Sequence, residues 1–298
     1  MKIVLFGKNG QVGWELQRSL APLGELIALD RRSQDHCGDL ADKEGIARTI
    51  EALQPDVIVN AAAYTAVDKA ESEPDMASLI NATAPSILAE AAQHAGAWLV
   101  HYSTDYVFDG RGDRPWREND VVNPLGVYGK SKLAGEQGIQ ATLDKHLIFR
   151  TSWVYAARGN NFAKTMLRLA QEREQLSVID DQIGAPTGAE LIADVTAHAI
   201  RSAMNRPELA GLYHLAADGA TSWHRYALQV LDFARRQGIE LKVPLQAIKA
   251  ISTDEYPTPA TRPLNSRLNT DKLKQAFHLE LPDWRMGVER MLTEILGK

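Results

Sequence analysis

A single cysteine, Cys37, stands among 298 residues. One thiol cannot build an internal disulfide framework, and it fits a reducing compartment. Long apolar runs are also missing: none approaches the ~18 residues that a membrane helix needs. The opening Met1-Lys2-Ile3-Val4-Leu5-Phe6 runs into glycines rather than a signal core, so a cytoplasmic location is expected. Positive charge is not in excess. With 33 Lys and Arg against 38 Asp and Glu, the net charge is -5 at pH 7, and neither nucleic acid nor a membrane is an expected partner. There is no internal repeat, no low-complexity linker, and no His/Cys cluster or paired-acid motif that would mark a metal site. The remainder, 45% apolar and 24% charged, suits one large α/β domain or two unequal halves.

Chemistry first shows in Tyr128-Gly-Lys-Ser-Lys132. Residues four apart share one face of a helix. A phenol loses its proton near pH ~10, and an ammonium held close would pull that value down towards the working range. The same spacing also fits a surface tyrosine beside a solvated lysine, so the surroundings must decide.

Ile3-Val4-Leu5-Phe6 reads as a buried parallel strand. Gly7, Gly10 and Gly13 follow in a G-x-x-G-x-x-G turn holding Gln11 and Val12, and a helix carrying Val12, Leu16 and Leu20 on one side comes next. Strand, glycine turn and helix form the setting in which backbone N–H groups meet a dinucleotide pyrophosphate. The next strand, Leu26–Leu29, ends at Asp30, where an acid would meet the adenosine ribose. Arg31 and Arg32 could instead accept a 2′-phosphate, so NADH and NADPH are both open. Asp39 and Leu40 could edge the adenine pocket, though helix capping near Asp42 explains the acids as well. A third strand, Val57–Asn60, opens into Ala61, Ala62, Ala63, Tyr64 and Thr65, at the carboxyl end where open parallel sheets bind ligands.

A helix over about 75–94 carries the chain to the strand 97–104, where alternation separates Tyr102 and Thr104 from Ser103. His101 reads as a packed histidine. Tyr128 to about Ala141 is a helix and Leu147–Arg150 a strand. The alternation predicts an α/β fold, a Rossmann-type doubly wound parallel sheet with a smaller, interleaved C-terminal substrate domain. Residues 1–155 form the dinucleotide-binding part. Residues 156–298 mostly form the substrate-binding part, with the chain crossing back between about 176 and 220. Helices are expected at Asn161–Glu172, Ala189–Met204, Trp223–Arg236, Asp271–Phe277 and Trp284–Leu296, and strands at Leu176–Ile179 and Leu212–Leu215.

Together the glycine turn, Asn60-Ala61-Ala62-Ala63, Ser103-Thr104 and Tyr128-x-x-x-Lys132 resemble the extended short-chain dehydrogenases/reductases that act on nucleotide sugars. Longer stretches, Ser103–Gly110, Arg150–Tyr155, Asp181–Thr187 and Thr261–Ser266, are similar to the branch that makes dTDP-L-rhamnose by reducing the C4 ketone of dTDP-4-dehydro-6-deoxy-L-mannose. The resemblance implies NADPH or NADH as cofactor, with Tyr102, Tyr128 and Lys132 among its contacts. Tyr128 would donate the proton, Lys132 would tune it and hold the nicotinamide ribose, and Thr104, a serine in many relatives, would hold the carbonyl oxygen. Asp105 and Trp153 would touch the sugar and Arg262 the pyrophosphate, although a core indole and a surface cation explain the last two equally well. Magnesium and a homodimer also come with the resemblance. Two rivals share the fold: an epimerase or dehydratase, and a cofactor-binding regulatory subunit without turnover. Related dehydratases place a second acid after Asp105, where this chain has Tyr106.

Overall fold

The structure, a computed structural model, describes residues 1–297. The first elements are β1 (Lys2–Phe6), α1 (Gln11–Leu20), β2 (Glu25–Leu29), α2 (Lys43–Leu53) and β3 (Val57–Asn60). Then come α3 (Val67–Ala70), α4 (Pro74–Ser78), α5 (Ala84–Ala95), β4 (Trp98–Thr104), α6 (Val127–Thr142) and β5 (His146–Thr151). The second half holds β6 (Val154–Tyr155), α7 (Phe162–Glu172), β7 (Leu176–Ile179), β8 (Ile183–Gly184), β9 (Thr187–Gly188) and α8 (Ala189–Asn205). It ends with β10 (Gly211–His214), β11 (Thr221–Ser222), α9 (Trp223–Arg236), β12 (Ile248–Ile251), α10 (Asp271–Phe277) and α11 (Trp284–Leu296).

Six strands form one parallel sheet in the order β10-β5-β4-β3-β1-β2. This is the doubly wound α/β architecture expected from the alternation. Its strand order reverses between β1 and β3, the point where such sheets leave a crevice at the carboxyl ends. Helices cover both faces. Leu16 and Leu20 of α1 pack with Ile192 and Val195 of α8 on one side, while Ile46, Ile50, Leu88 and Ile139 pack on the other. Burial on both faces explains why Val57-Ile58-Val59 is continuously apolar. Each such side chain contributes about 1.5–3 kcal/mol when removed from water.

One expected element differs. The helix over 75–94 is α4 and α5 joined by a π-helical turn, Leu79–Thr83. Pro85 lacks an N–H and its ring crowds the carbonyl four residues back, at Asn81, so a regular turn cannot pass through. The widened turn buries Asn81, whose amide then serves the site described below.

After β5 the chain builds a second layer around Tyr226, Val230, Leu231, Val288 and Leu292. β7 pairs with β12, and β8 with β11. Between them α8 packs on the main sheet and β10 joins its edge beside β5. The short pair β6–β9 stitches the two layers together.

Candidate functional site

The glycine turn positions everything above it. Gly7 has φ 88°, and a Cβ there would stand 2.7 Å from the Ala62 nitrogen. A Cβ at Gly13 would lie 2.0 Å from the Gly7 carbonyl oxygen. Turn, α1 and the alanine loop after β3 therefore press together, and any side chain would separate them. Gly10 begins α1 without a side-chain cap, so first-turn N–H groups remain available for an anion. Gly7, Gly10, Gln11 and Val12 line a cleft of about 1280 Å³ at the carboxyl ends of the sheet. Gly13 stays behind, packed on the turn.

At the far end of this cleft lie Asp30, Arg31, Arg32, Asp39 and Leu40. Asp30 Oδ1 accepts from the Arg32 N–H at 2.9 Å, and Oδ2 takes the Asn9 amide. That backbone donor, with Lys8 nearby, lowers the Asp30 pKa. Asp42, not Asp39, caps α2, accepting from the Gly45 N–H at 2.8 Å. Ala62, Ala63, Tyr64 and Thr65 form one wall, and Tyr102 closes the middle.

Thr104, Asp105, Tyr128 and Lys132 meet in the same cleft. Tyr128 and Lys132 come from α6, while β4 delivers Thr104 and runs directly into Asp105. The Thr104 hydroxyl donates to Asp105 Oδ1 at 3.1 Å and accepts from the Tyr106 N–H at 3.2 Å. The Tyr106 ring meets the Tyr128 ring edge-on, centroids 5.5 Å apart. Lys132 is 2% exposed, and its Nζ donates to the Tyr102 carbonyl at 2.5 Å.

The electrostatics depart from the sequence expectation. Tyr128 is not pulled down. Burial, with the Asp105 charge adding to it, pushes its pKa up to about 12, and only the Thr104 hydroxyl opposes this. Burial lowers Lys132 to about 8, against the pull of Glu136. Burial also lifts Asp105 to about 6, against the hydroxyls of Ser266 and Thr104. Desolvation sets the direction for the phenol, and the Lys132 nitrogen is turned towards the Tyr102 carbonyl and His101.

Trp153 lines the cleft, stacked on Trp223. Arg262 does not line it. Its guanidinium forms a fork with Asp68, Nη1–Oδ1 2.9 Å and Nη2–Oδ2 2.8 Å, which ties the segment after β12 to α3.

Asn81 and Glu71 bear on the site without having been singled out from the sequence. Asn81, in the π turn, grips Tyr64 through its N–H at 2.9 Å and its carbonyl at 3.0 Å, and donates to Ser131 of α6 at 3.1 Å. Glu71 accepts from the Val127 N–H at 2.9 Å, capping α6 one residue before Tyr128. His101 is packed, as its sequence suggests, yet its Nε2 lies 3.1 Å from Lys132 Nζ. The buried hydroxyls of Ser103, Thr151 and Ser152 line the cleft with no protein partner. Such orphaned groups fit a polar ligand. With the glycine turn and the uncapped first-turn N–H groups of α1, they suit a dinucleotide beside a hydroxylated substrate.

Residues 1–296 match the family model described as the RmlD substrate binding domain. The dTDP-4-dehydrorhamnose reductase of Salmonella typhimurium is 65% identical over 295 residues, spanning 99% of this chain and 98% of that one. A solved dTDP-4-dehydrorhamnose reductase from Clostridium acetobutylicum has a TM-score of 0.87 at 35% identity and covers 100% of both chains. Another from Bacillus anthracis, in complex with NADP, has a TM-score of 0.86 at 36% identity, covering 98% of this chain and 99% of that one.

Proposed function

The chain belongs to the family of the RmlD substrate binding domain, and from that premise we propose that it is an NAD(P)H-dependent oxidoreductase. It reduces the C4 ketone of dTDP-4-dehydro-6-deoxy-L-mannose (dTDP-4-dehydrorhamnose) to dTDP-L-rhamnose. The observation that carries this reading is the meeting of Thr104, Tyr128 and Lys132 in the cleft above the glycine turn.

The nicotinamide cofactor, when bound, supplies the hydride. Gly7, Gly10, Gln11 and Val12 receive its pyrophosphate, and Asp30, Asp39 and Leu40 its adenosine end. Ala62, Ala63, Tyr64, Thr65 and Tyr102 line its path, and Lys132 holds the nicotinamide ribose. As C4 gains the hydride its oxygen becomes an alkoxide, and Tyr128 gives that oxygen the phenolic proton. A phenol held at about 12 is fully protonated at neutral pH, as a donor must be, and an alkoxide is basic enough to take that proton. The Thr104 hydroxyl fixes the carbonyl oxygen beside the phenol once its one O–H turns from Asp105 Oδ1 to that oxygen. Asp105 and Trp153 bind the sugar, and Arg262 turns to the substrate pyrophosphate only by leaving Asp68.

The reading extends to a homodimer in the cytoplasm, supported by the resemblance and by the free thiol of Cys37. Sedimentation measures the first and fractionation the second. Magnesium comes with the resemblance alone: among the described residues no group of three His, Cys, Asp or Glu could hold an ion, so any such ion belongs at a surface or an interface and not at the chemistry.

The test is incubation with dTDP-4-dehydrorhamnose and reduced cofactor, following nicotinamide absorbance. The expected result is oxidation matched by dTDP-L-rhamnose formed. Binding without oxidation would identify a regulatory subunit, and action on the 6-hydroxy sugar without consumption of cofactor a dehydratase.

A further inference from the structure

Asn60 ends β3, and His101 is its register partner on β4. Each is 1% exposed. The Ala62 N–H, which can only donate, points at Asn60 Oδ1 at 3.2 Å. The other end of that amide, Nδ2, therefore faces His101 Nδ1, also at 3.2 Å. A donor on one side requires a lone pair on the other. Burial and the neighbouring lysine keep the imidazole neutral, holding its pKa well below the usual histidine range. A neutral ring with a bare Nδ1 carries its proton on Nε2, the atom 3.1 Å from Lys132 Nζ.

We propose that Asn60 and His101 are positioning residues acting through Lys132: Asn60 fixes the Nε2–H tautomer of His101, and that N–H opposes the protonated form of the lysine. An ammonium is a donor on all sides and finds an acceptor in the Tyr102 carbonyl at 2.5 Å, but in His101 it meets a second donor. A free amine satisfies both, donating to the carbonyl and accepting from the ring. The other charged or titratable groups around Lys132 pull differently. Glu136, one turn on in α6, favours the ammonium, but its carboxylate is already held by Arg150 of β5 through two bonds of 2.6 and 2.9 Å. Asp105 and Tyr128 share the cleft, and β3 contributes only the neutral Asn60. The lysine's charge is thus responsive near neutral pH rather than fixed. The consequence for catalysis rests on the reductase reading: a lysine that sheds its proton grips a cofactor ribose less firmly as pH rises.

The first test is nitrogen NMR of the histidine rings in the whole ligand-free protein. Resonances of the Nε2–H tautomer at His101 are expected, and the Nδ1–H tautomer would overturn the proposal. The second follows Lys132 by carbon-13 labelling of lysine through a pH titration, in the native protein and in His101→Phe. Loss of the opposing N–H should move the midpoint up by about one unit or more, a tenfold gain in proton affinity. A downward shift, or none, would mean that the ring accepts from the lysine or only fills space. Should His101→Phe fail to fold, the tautomer in the native protein still decides. Neither measurement uses substrate or turnover, so a failed reductase assay leaves both outcomes readable.

Discussion

Trp153 lies flat on Trp223, ring centroids 3.6 Å apart and planes within 13°, and its backbone takes φ 49° to put it there. A bulky side chain in the left-handed region costs of order 1–3 kcal/mol, which the stack and the space beside it must offset. That space exists because residue 184 is glycine: a Cβ there would stand 2.7 Å from Trp153 Cε2. Gly184→Ala should tilt the indole out of its slot and into the cleft. Since an aromatic contact is worth about 0.5–1.5 kcal/mol, the KM for the nucleotide sugar should rise about two- to tenfold while NADPH affinity holds. An unchanged KM would mean that Trp153 does not touch the sugar.

Removing only the phenolic oxygen, in Tyr128→Phe, deletes the proposed donor and keeps the ring against Tyr106. General acids contribute about 10²–10⁴-fold, so kcat should fall by that factor with little change in cofactor affinity. Lys132→Met should impair both. Thr104→Ser should be tolerated and Thr104→Val should not, because only serine keeps a hydroxyl facing Asp105. Retention of more than about half the activity in Tyr128→Phe would remove the phenol from the mechanism.

The elements and the chemistry were unequally legible in the sequence. Val57-Ile58-Val59 and the Gly7–Gly13 turn carry their signal within a few residues, because sheet burial and backbone approach are local demands. The Tyr128/Lys132 spacing is local as well. What stayed hidden depends on chain segments far apart. Glu71 caps α6 from 56 residues away, and Asp68 meets Arg262 across 194. Neither has a periodicity to announce it. Asn81 had one local trace, Pro85 four residues on, which marks an interrupted helix without saying what the freed turn would hold. The direction of the Tyr128 shift was misread because spacing shows a neighbouring ammonium but not the depth of burial.

Glu136 and Arg150 form a buried pair, 1% and 4% exposed. The Arg150 guanidinium also lies over the Phe108 ring, 5.1 Å from its centroid. Taking away one partner strands the other charge, so Glu136→Gln or Arg150→Met should each cost about 3–5 kcal/mol in urea unfolding. The double variant should cost less than the sum of the two. Additive losses would show that the charges do not depend on one another.

Cofactor choice rests on Asp30 against Arg31 and Arg32, all three of which line the cleft. Opposed charges at one ribose should leave NADH and NADPH within about tenfold in kcat/KM, or about 1.4 kcal/mol. Asp30→Ala should then shift the ratio towards NADPH, by removing both the hydroxyl acceptor and the repulsion of a phosphate. A preference beyond about a hundredfold in the native protein would show that one of these side chains faces elsewhere.

Asp105 gives a pH signature. It is 2% exposed, and burial lifts its pKa from 3.8 to about 6. Between those values the folded chain holds a proton that the unfolded chain has released, so stability falls as pH rises through the window and levels off above it. A shift of this size corresponds to about 3 kcal/mol. Asp105→Asn has no proton to lose. Compared with the native protein it should be more stable by up to about 3 kcal/mol at pH 7, with the advantage shrinking below pH ~6 and gone near ~4. The same substitution removes the charge that raises Tyr128, so the phenol should titrate at lower pH in the variant. Urea unfolding at a series of pH values reads the first effect and ultraviolet titration of the tyrosines the second. If the stability difference does not change with pH, Asp105 is already ionised throughout and its carboxylate is better solvated than its burial implies.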